Sequence, residues 1–255
     1  MTPGVYSAVS GMTARWTHQI QSAENISHAK HTGHKRQVVS FGAFGDVLRK
    51  AQGEIAGGTL ATPLAYTRPL ATDLSSGTAE KTGSNLDAAI KGTGFFALQT
   101  PDGVRLTRNG HFVVSKENTL VSEDGFPVLG TTGPGTTGPI KVPQGQEGKA
   151  ALAADGSVNI NDPTGGQSQT VGQLQILMPK DISQLRTESG SFFSAPETEP
   201  VASPELNVGM LEGSNVEMPK EMVGMINNQR VYEMLSKAFQ AQDEGLQRAI
   251  QDLST

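Results

Sequence analysis

Apolar positions fall into two helical stripes, one at each end of the chain. The long stretch between them breaks into short runs of strand character. Near the N-terminus Val5, Val9, Met12, Trp16, Ile20, Ala23 and Ile26 recur at spacings of three and four. Near the C-terminus Met218, Met222, Met225, Tyr232, Phe239, Leu246, Ile250 and Leu253 keep the same pattern. Residues three and four apart share a helix face, so each end is predicted to form an amphipathic helix with a narrow apolar seam. A seam of that width is what a coiled coil buries. These helices therefore need a partner: each other, neighbouring subunits, or both.

The first helix is predicted over about residues 3–29, with Gly33 as a left-handed C-cap. Lys30, Lys35 and Arg36 then stand where a helix C-terminus favours positive charge. The last helix has Ser214 and Asn215 as N-cap types and Glu217 placed for a capping box, while Pro219 sets the regular start at about Met218.

Residues 37–80 contain one candidate strand, 38–44. Gly57, Gly58, Pro63 and Pro69 predict an extended connector. From Leu86 onward short strands are predicted at 95–98 and 104–107, around the turn Pro101-Asp102-Gly103. Others follow at 111–115, 119–122, 126–129, 140–142, 151–153, 157–160 and 171–178. Asp155-Gly156 marks a further hairpin and GTTGPGTTG (130–138) a loop. Short, evenly spaced strands predict an antiparallel sheet or barrel. The expected class is α+β, mainly β. Residues 1–36 and 214–255 are expected to pair as a coiled-coil-like helical assembly domain. Residues 37–80 form a connector, 81–200 a central antiparallel β-domain and 201–213 a return linker.

Composition narrows the function. A hydrophobic fraction of 36% with 5% aromatics is thin for one compact enzyme core, and Gly 30 and Pro 14 fit a turn-rich middle. The net charge of −5 argues against a nucleic-acid binder. The absence of cysteine excludes disulfides and thiolate-held metals. The first residues lack the charged and apolar regions of a Sec-type signal, so any export needs a dedicated exporter. Arg15, His18 and Glu24 interrupt the N-terminal stripe, which therefore does not span a bilayer.

Candidate chemistry is sparse. His28, His31 and His34 stand at i, i+3 and i+6. Gly33 separates the last two and no carboxylate follows at ligand spacing, so they are expected as solvent-facing residues at a helix end. Gly92-Thr93-Gly94 looks like half of a phosphate loop, but a strand pattern follows it where a helix is needed. Both glycines are expected to serve a tight turn or bulge. Asp102, Asp124 and Asp155 each precede glycine, as turn residues do. His111, in Asn109-Gly110-His111-Phe112, has no obvious acid or nucleophile partner. No catalytic, cofactor-binding or metal-ligating residue is assigned. Met218, Met222 and Met225 suit either an ordinary helix core or adaptable packing against non-identical neighbours.

Three segments resemble the flagellar rod and hook protein family. AVSGM (8–12) is similar to that family's helix start A-x-S-G-M and is followed by Asn25-Ile26 and Gly33-x-Lys35-Arg36. LDAAIKGTGFFAL (86–98) and DGVRLTRNGHFVVSKENTLVSEDGFPVLG (102–130) resemble its β-domain signature. LEGSNVEMPKEMVGMINNQRVYEMLSKAFQAQDEGLQRAI (211–250) resembles its C-terminal signature. Glu24, His28, His31 and His34 depart from the family's usual Asn, Asn, Thr and Phe, and Leu106 precedes Thr107 where Tyr is usual. IKVPQG (140–145) resembles the rod subgroup, the proximal type slightly more than the distal.

The resemblance implies a non-enzymatic axial protein without cofactor. Its terminal helices would pair to form an inner tube, with the β-domain outside. Implied partners are further copies, other rod and hook subunits and the flagellar type III export apparatus, without nucleic-acid binding or membrane insertion. The implied location is the basal-body rod crossing the periplasm, reached without a cleaved signal, where it transmits motor torque. A hook-like or adaptor subunit is the nearest alternative. A peptidoglycan-binding or hydrolytic protein would need paired acids in a cleft, which the residues do not supply.

Overall fold

The computed structural model describes residues 3–43, 65–67, 71–133, 136–160, 169–188 and 190–253. The chain is α+β and mainly β, with one long helix at each end. It divides into two units, one from Met1–Ser27, Gln37–Ala71 and Glu217–Thr255, the other from His28–Arg36 and Thr72–Val216.

The first unit holds the helices Pro3–Ser27 and Met218–Leu253. Gly11 lies against Leu235, where an added Cβ would stand 3.3 Å from Leu235 Cδ1. Asn228 Nδ2 donates to the Arg15 carbonyl at 2.7 Å. Rising numbers on one helix meet falling numbers on the other, so the pair is antiparallel. Small and polar side chains are buried: Ala14, Gln21, Ser22 and Asn25 on the first helix, Glu221 and Asn228 on the second. Small residues let helix backbones approach, and the buried Asn228 amide is held through its Nδ2, while its Oδ1 has no hydrogen-bond partner. Asn25 also caps the chain's next turn, donating to the Gln37 carbonyl at 2.9 Å and accepting from its N–H at 3.0 Å.

The second unit is antiparallel β. A six-stranded sheet runs Arg186–Thr187, Phe192–Ser194, Gly103–Thr107, Phe95–Thr100, Ile176–Pro179, Thr198–Pro200. A five-stranded sheet runs Thr136–Pro139, Leu129–Gly133, Gln169–Leu174, Ser157–Ile160, Ala150–Leu152. Residues 95–98 of the Phe95–Thr100 strand are buried on both faces, which explains their unbroken apolar run. Phe96 and Leu98 enter the larger core with Phe112, Leu120, Val128, Ile140, Val158 and Ile176. Phe95 and Ala97 enter a second core with Leu106, Leu177 and Phe193. Side chains alternate along a strand, so one strand serves two cores.

Several expectations change. Within 201–213, read as a linker, Leu206–Val208 pairs with Ala88–Ile90 and Met210–Glu212 with Ala79–Lys81. The 130–138 segment, read as a loop, lies largely within the paired strands Leu129–Gly133 and Thr136–Pro139. The first helix ends at Ser27, and residues 28–36 belong to the β unit. Gly33 has φ +72, but as part of that turn. A Cβ there would stand 2.3 Å from the Asn109 nitrogen, so close backbone approach also demands glycine. The last helix begins at Met218, as Pro219 implies, while Ser214 Oγ accepts from the Val216 N–H at 3.2 Å and forms a local turn.

Candidate functional site

Three separated segments meet in a buried ionic cluster of the β unit. Lys35, Arg108 and Glu212 side chains are 0%, 1% and 4% exposed. Lys35 Nζ lies 2.7 Å from Glu212 Oε1 and donates to the Ser75 carbonyl at 2.7 Å. Arg108 Nη1 donates to Glu212 Oε2 at 3.0 Å and Nη2 to the Gly92 carbonyl at 2.9 Å. The Gly77 N–H donates to Glu212 Oε1 at 3.1 Å. The Arg108 guanidinium also lies 5.2 Å from the centre of the Phe95 ring.

Each cation is held from more than one side, as burial of charge requires. Burial pushes the Lys35 ammonium below its ordinary range, and the hydrogen bond to Glu212 opposes that shift. Arg36 and Asn215 extend the tie: the Arg36 N–H donates to Asn215 Oδ1 at 2.6 Å, and Asn215 Nδ2 donates to the Asp73 carbonyl at 2.9 Å. This arrangement binds chain segments together and presents no open nucleophile. Lys35 is therefore a core cation, a correction to its reading as helix-end charge. The available sequence signal was its place inside a family segment, as with Arg108 in LTRNG and Glu212 in LEGSN.

Gly92 and Gly94, expected at a turn, have φ +98 and +127. A Cβ on Gly94 would stand 2.7 Å from Ile176 Cγ2, whereas the space at Gly92 is open. Gly92 lends its carbonyl to Arg108.

Of the three histidines, His31 is exposed as expected and His28 is half-buried, but His34 differs from expectation. His34 is buried, and its ring stacks on His28 with centroids 4.9 Å apart. His28 meets His31 edge-on at 4.9 Å. Burial by the surrounding β unit, unseen in the local pattern, accounts for the change. His111 does have an acid partner: its Nδ1 lies 2.7 Å from Asp87 Oδ1, and Thr82 Oγ1 donates to Asp87 Oδ2 at 2.5 Å. The hydroxyl engages the carboxylate and not the imidazole, which makes this a structural tie between segments.

The helical seam residues lie on the first unit. Val9, Trp16, Ile20, Met222 and Tyr232 are exposed, Trp16 by 60%. Met12, Met218, Met225 and Phe239 are partly buried. Val5, Leu246, Ile250 and Leu253 fall within the helices, but their side chains lie outside the described set. Val223, Ile226 and Met234 add exposed apolar surface that the seam did not include. Among the described residues no helix is long and apolar enough to cross a membrane.

Residues 207–252 match the flagellar basal body rod FlgEFG protein C-terminal model, and residues 89–160 match the flagellar hook protein FlgE/F/G D1 domain model. The flagellar basal-body rod protein FlgG of Bacillus subtilis is 32% identical, over 98% of each chain. FlgF of Escherichia coli is 32% identical over 100% of this chain and 99% of its own. FlgF of Rhizobium meliloti is 30% identical over 99% and 98%.

Proposed function

We propose from one premise, that this chain belongs to the flagellar basal-body rod protein family, that it polymerises through its terminal helices into the axial drive shaft of the basal body. The protein is a structural rod subunit and not an enzyme. One observation carries the polymerisation reading: in the folded chain Val9, Trp16, Ile20, Met222 and Tyr232 remain exposed. The helices meet each other largely through small and polar groups, with Leu235 against Gly11, so the exposed part of their apolar seam is left for neighbours.

Coiled-coil-like packing of that seam against helices of adjacent copies and of other rod or hook subunits would bury it. Heterologous contacts of this kind do not close on themselves and build a helical array. Torque would then pass through many small contacts in parallel. Passage through the flagellar export apparatus, without a cleaved signal, belongs to the same reading. So does a position spanning the periplasm.

Deletion of the gene tests this. Basal bodies from the deletion strain should lack a completed rod when viewed by electron microscopy, and the wild-type chain should restore it. Basal bodies with a complete rod and hook would overturn the reading.

A further inference from the structure

The turn at 28–36 is tied to the loop at 190–192 within the β unit. Ser191 Oγ donates to the Thr32 carbonyl at 2.9 Å, and His34 Nδ1 lies 3.3 Å from the Gly190 carbonyl. A carbonyl only accepts, so Nδ1 carries the hydrogen, and in the neutral ring Nε2 is an acceptor. His34 Nε2 is buried and has no hydrogen-bond partner, and the same holds for His28 Nδ1. The two rings stack, and His31 stands against His28. His28, His31 and Thr32 also line a cavity of 270 Å³ with Asn109, Glu123 and Asp124.

We propose that His28, His31 and His34 form an acid-sensitive latch, which docks the 28–36 turn on the 190–192 loop when neutral and releases it when protonated. A second proton on His34 places a charge at Nε2, where no acceptor stands. Protonation of His28 sets that charge against a stacked imidazolium. Glu123 and Asp124 are the carboxylates that line the same cavity as His28 and His31. The turn's own Lys35, with Arg108, already places two cations around the single carboxylate of Glu212, while Asp73 acts on Lys35. Residues 190–192 offer no ionisable side chain.

Burial holds His34 below its ordinary 6.5. The Gly190 hydrogen bond opposes this, and His28 and His31 add to the lowering. A released turn therefore binds protons more readily than a docked one. Docking has its full stability above the ordinary value and loses it as pH falls below 6.5.

Hydrogen exchange on the full chain, with EDTA present, tests the latch at about pH 7.5 and about pH 5. After correction for intrinsic exchange, amides of 28–36 should lose protection in acid relative to those of 95–100, by roughly tenfold per unit of pKa difference. The triple variant His28→Asn, His31→Thr, His34→Phe should hold its protection at both values. A flat wild-type profile, or the same loss in the folded variant, overturns the proposal. Should the variant not fold, NMR titration of wild-type His34 decides. Titration below 6.5 together with the loss of amide protection supports the latch. An unshifted titration with unchanged amides overturns it.

Discussion

Glu212 Oε2 accepts a hydrogen bond from Arg108 Nη1 at 3.0 Å, and both side chains are shut away from solvent 104 residues apart in the chain. Lys35 approaches the other carboxylate oxygen at 2.7 Å. One buried carboxylate thus serves two buried cations, and the consequences of removing each partner are unequal.

Glu212→Gln should destabilise the β unit by about 3–5 kcal/mol, because two buried cations lose their counter-charge. Lys35→Met should cost less than half of that, since it leaves a balanced Arg108–Glu212 pair and the Ser75 carbonyl keeps its hydrogen bond from Asn215 Nδ2 at 3.0 Å. Urea denaturation of the two variants gives the order. A larger loss for Lys35→Met would show that Lys35, and not the carboxylate, organises the cluster.

Gly94→Val should lower the melting temperature more than Gly92→Val. Both positions have positive φ, a strain of about 1–2 kcal/mol for a residue with a Cβ. Only Gly94 adds a clash, with Ile176 Cγ2 at 2.7 Å. Calorimetry of both variants measures the difference, and equal shifts would remove the packing part of the argument.

On the proposed assembly reading, Phe239→Asp and Leu246→Asp should leave the β unit folded yet abolish rod incorporation. An unpaired charge buried in the seam costs several kcal/mol, and the cost recurs at every subunit. Near-ultraviolet circular dichroism follows the fold, and a swimming assay follows assembly. Normal swimming by both variants would exclude the seam as the interface.

Acid should weaken the 72–78 segment through Asp73. Its carboxylate accepts from the Ser75 N–H at 3.0 Å, and bonds to Ser75 hold it below the usual carboxylate value of 3.8. Its contribution is complete above 3.8 and fades as pH falls through the lower folded value. Asp73→Asn should flatten that part of the acid unfolding curve. An unchanged slope would mean that Asp73 is not coupled to unfolding.

The sequence by itself determined the two terminal helices, the strands 95–98 and 104–107, and the Asp155-Gly156 hairpin. Asp155 Oδ1 does accept from the Ser157 N–H at 2.9 Å, a bond between near neighbours. Periodicity and turn chemistry are local, so they are legible along the chain. The family segments were legible for the same reason. Tertiary structure alone decided that Lys35 is a core cation, that His34 is buried, that Asp87 partners His111, and that 206–212 joins the sheets. Each depends on groups brought together from far along the chain, and desolvation by those groups has no signature in local spacing. It also decided which way the apolar seam points. A helical period says that a face exists, while burial of Ala14, Ser22 and Asn228 and exposure of Trp16 and Met222 say which side chains the helix pair covers and which it leaves exposed.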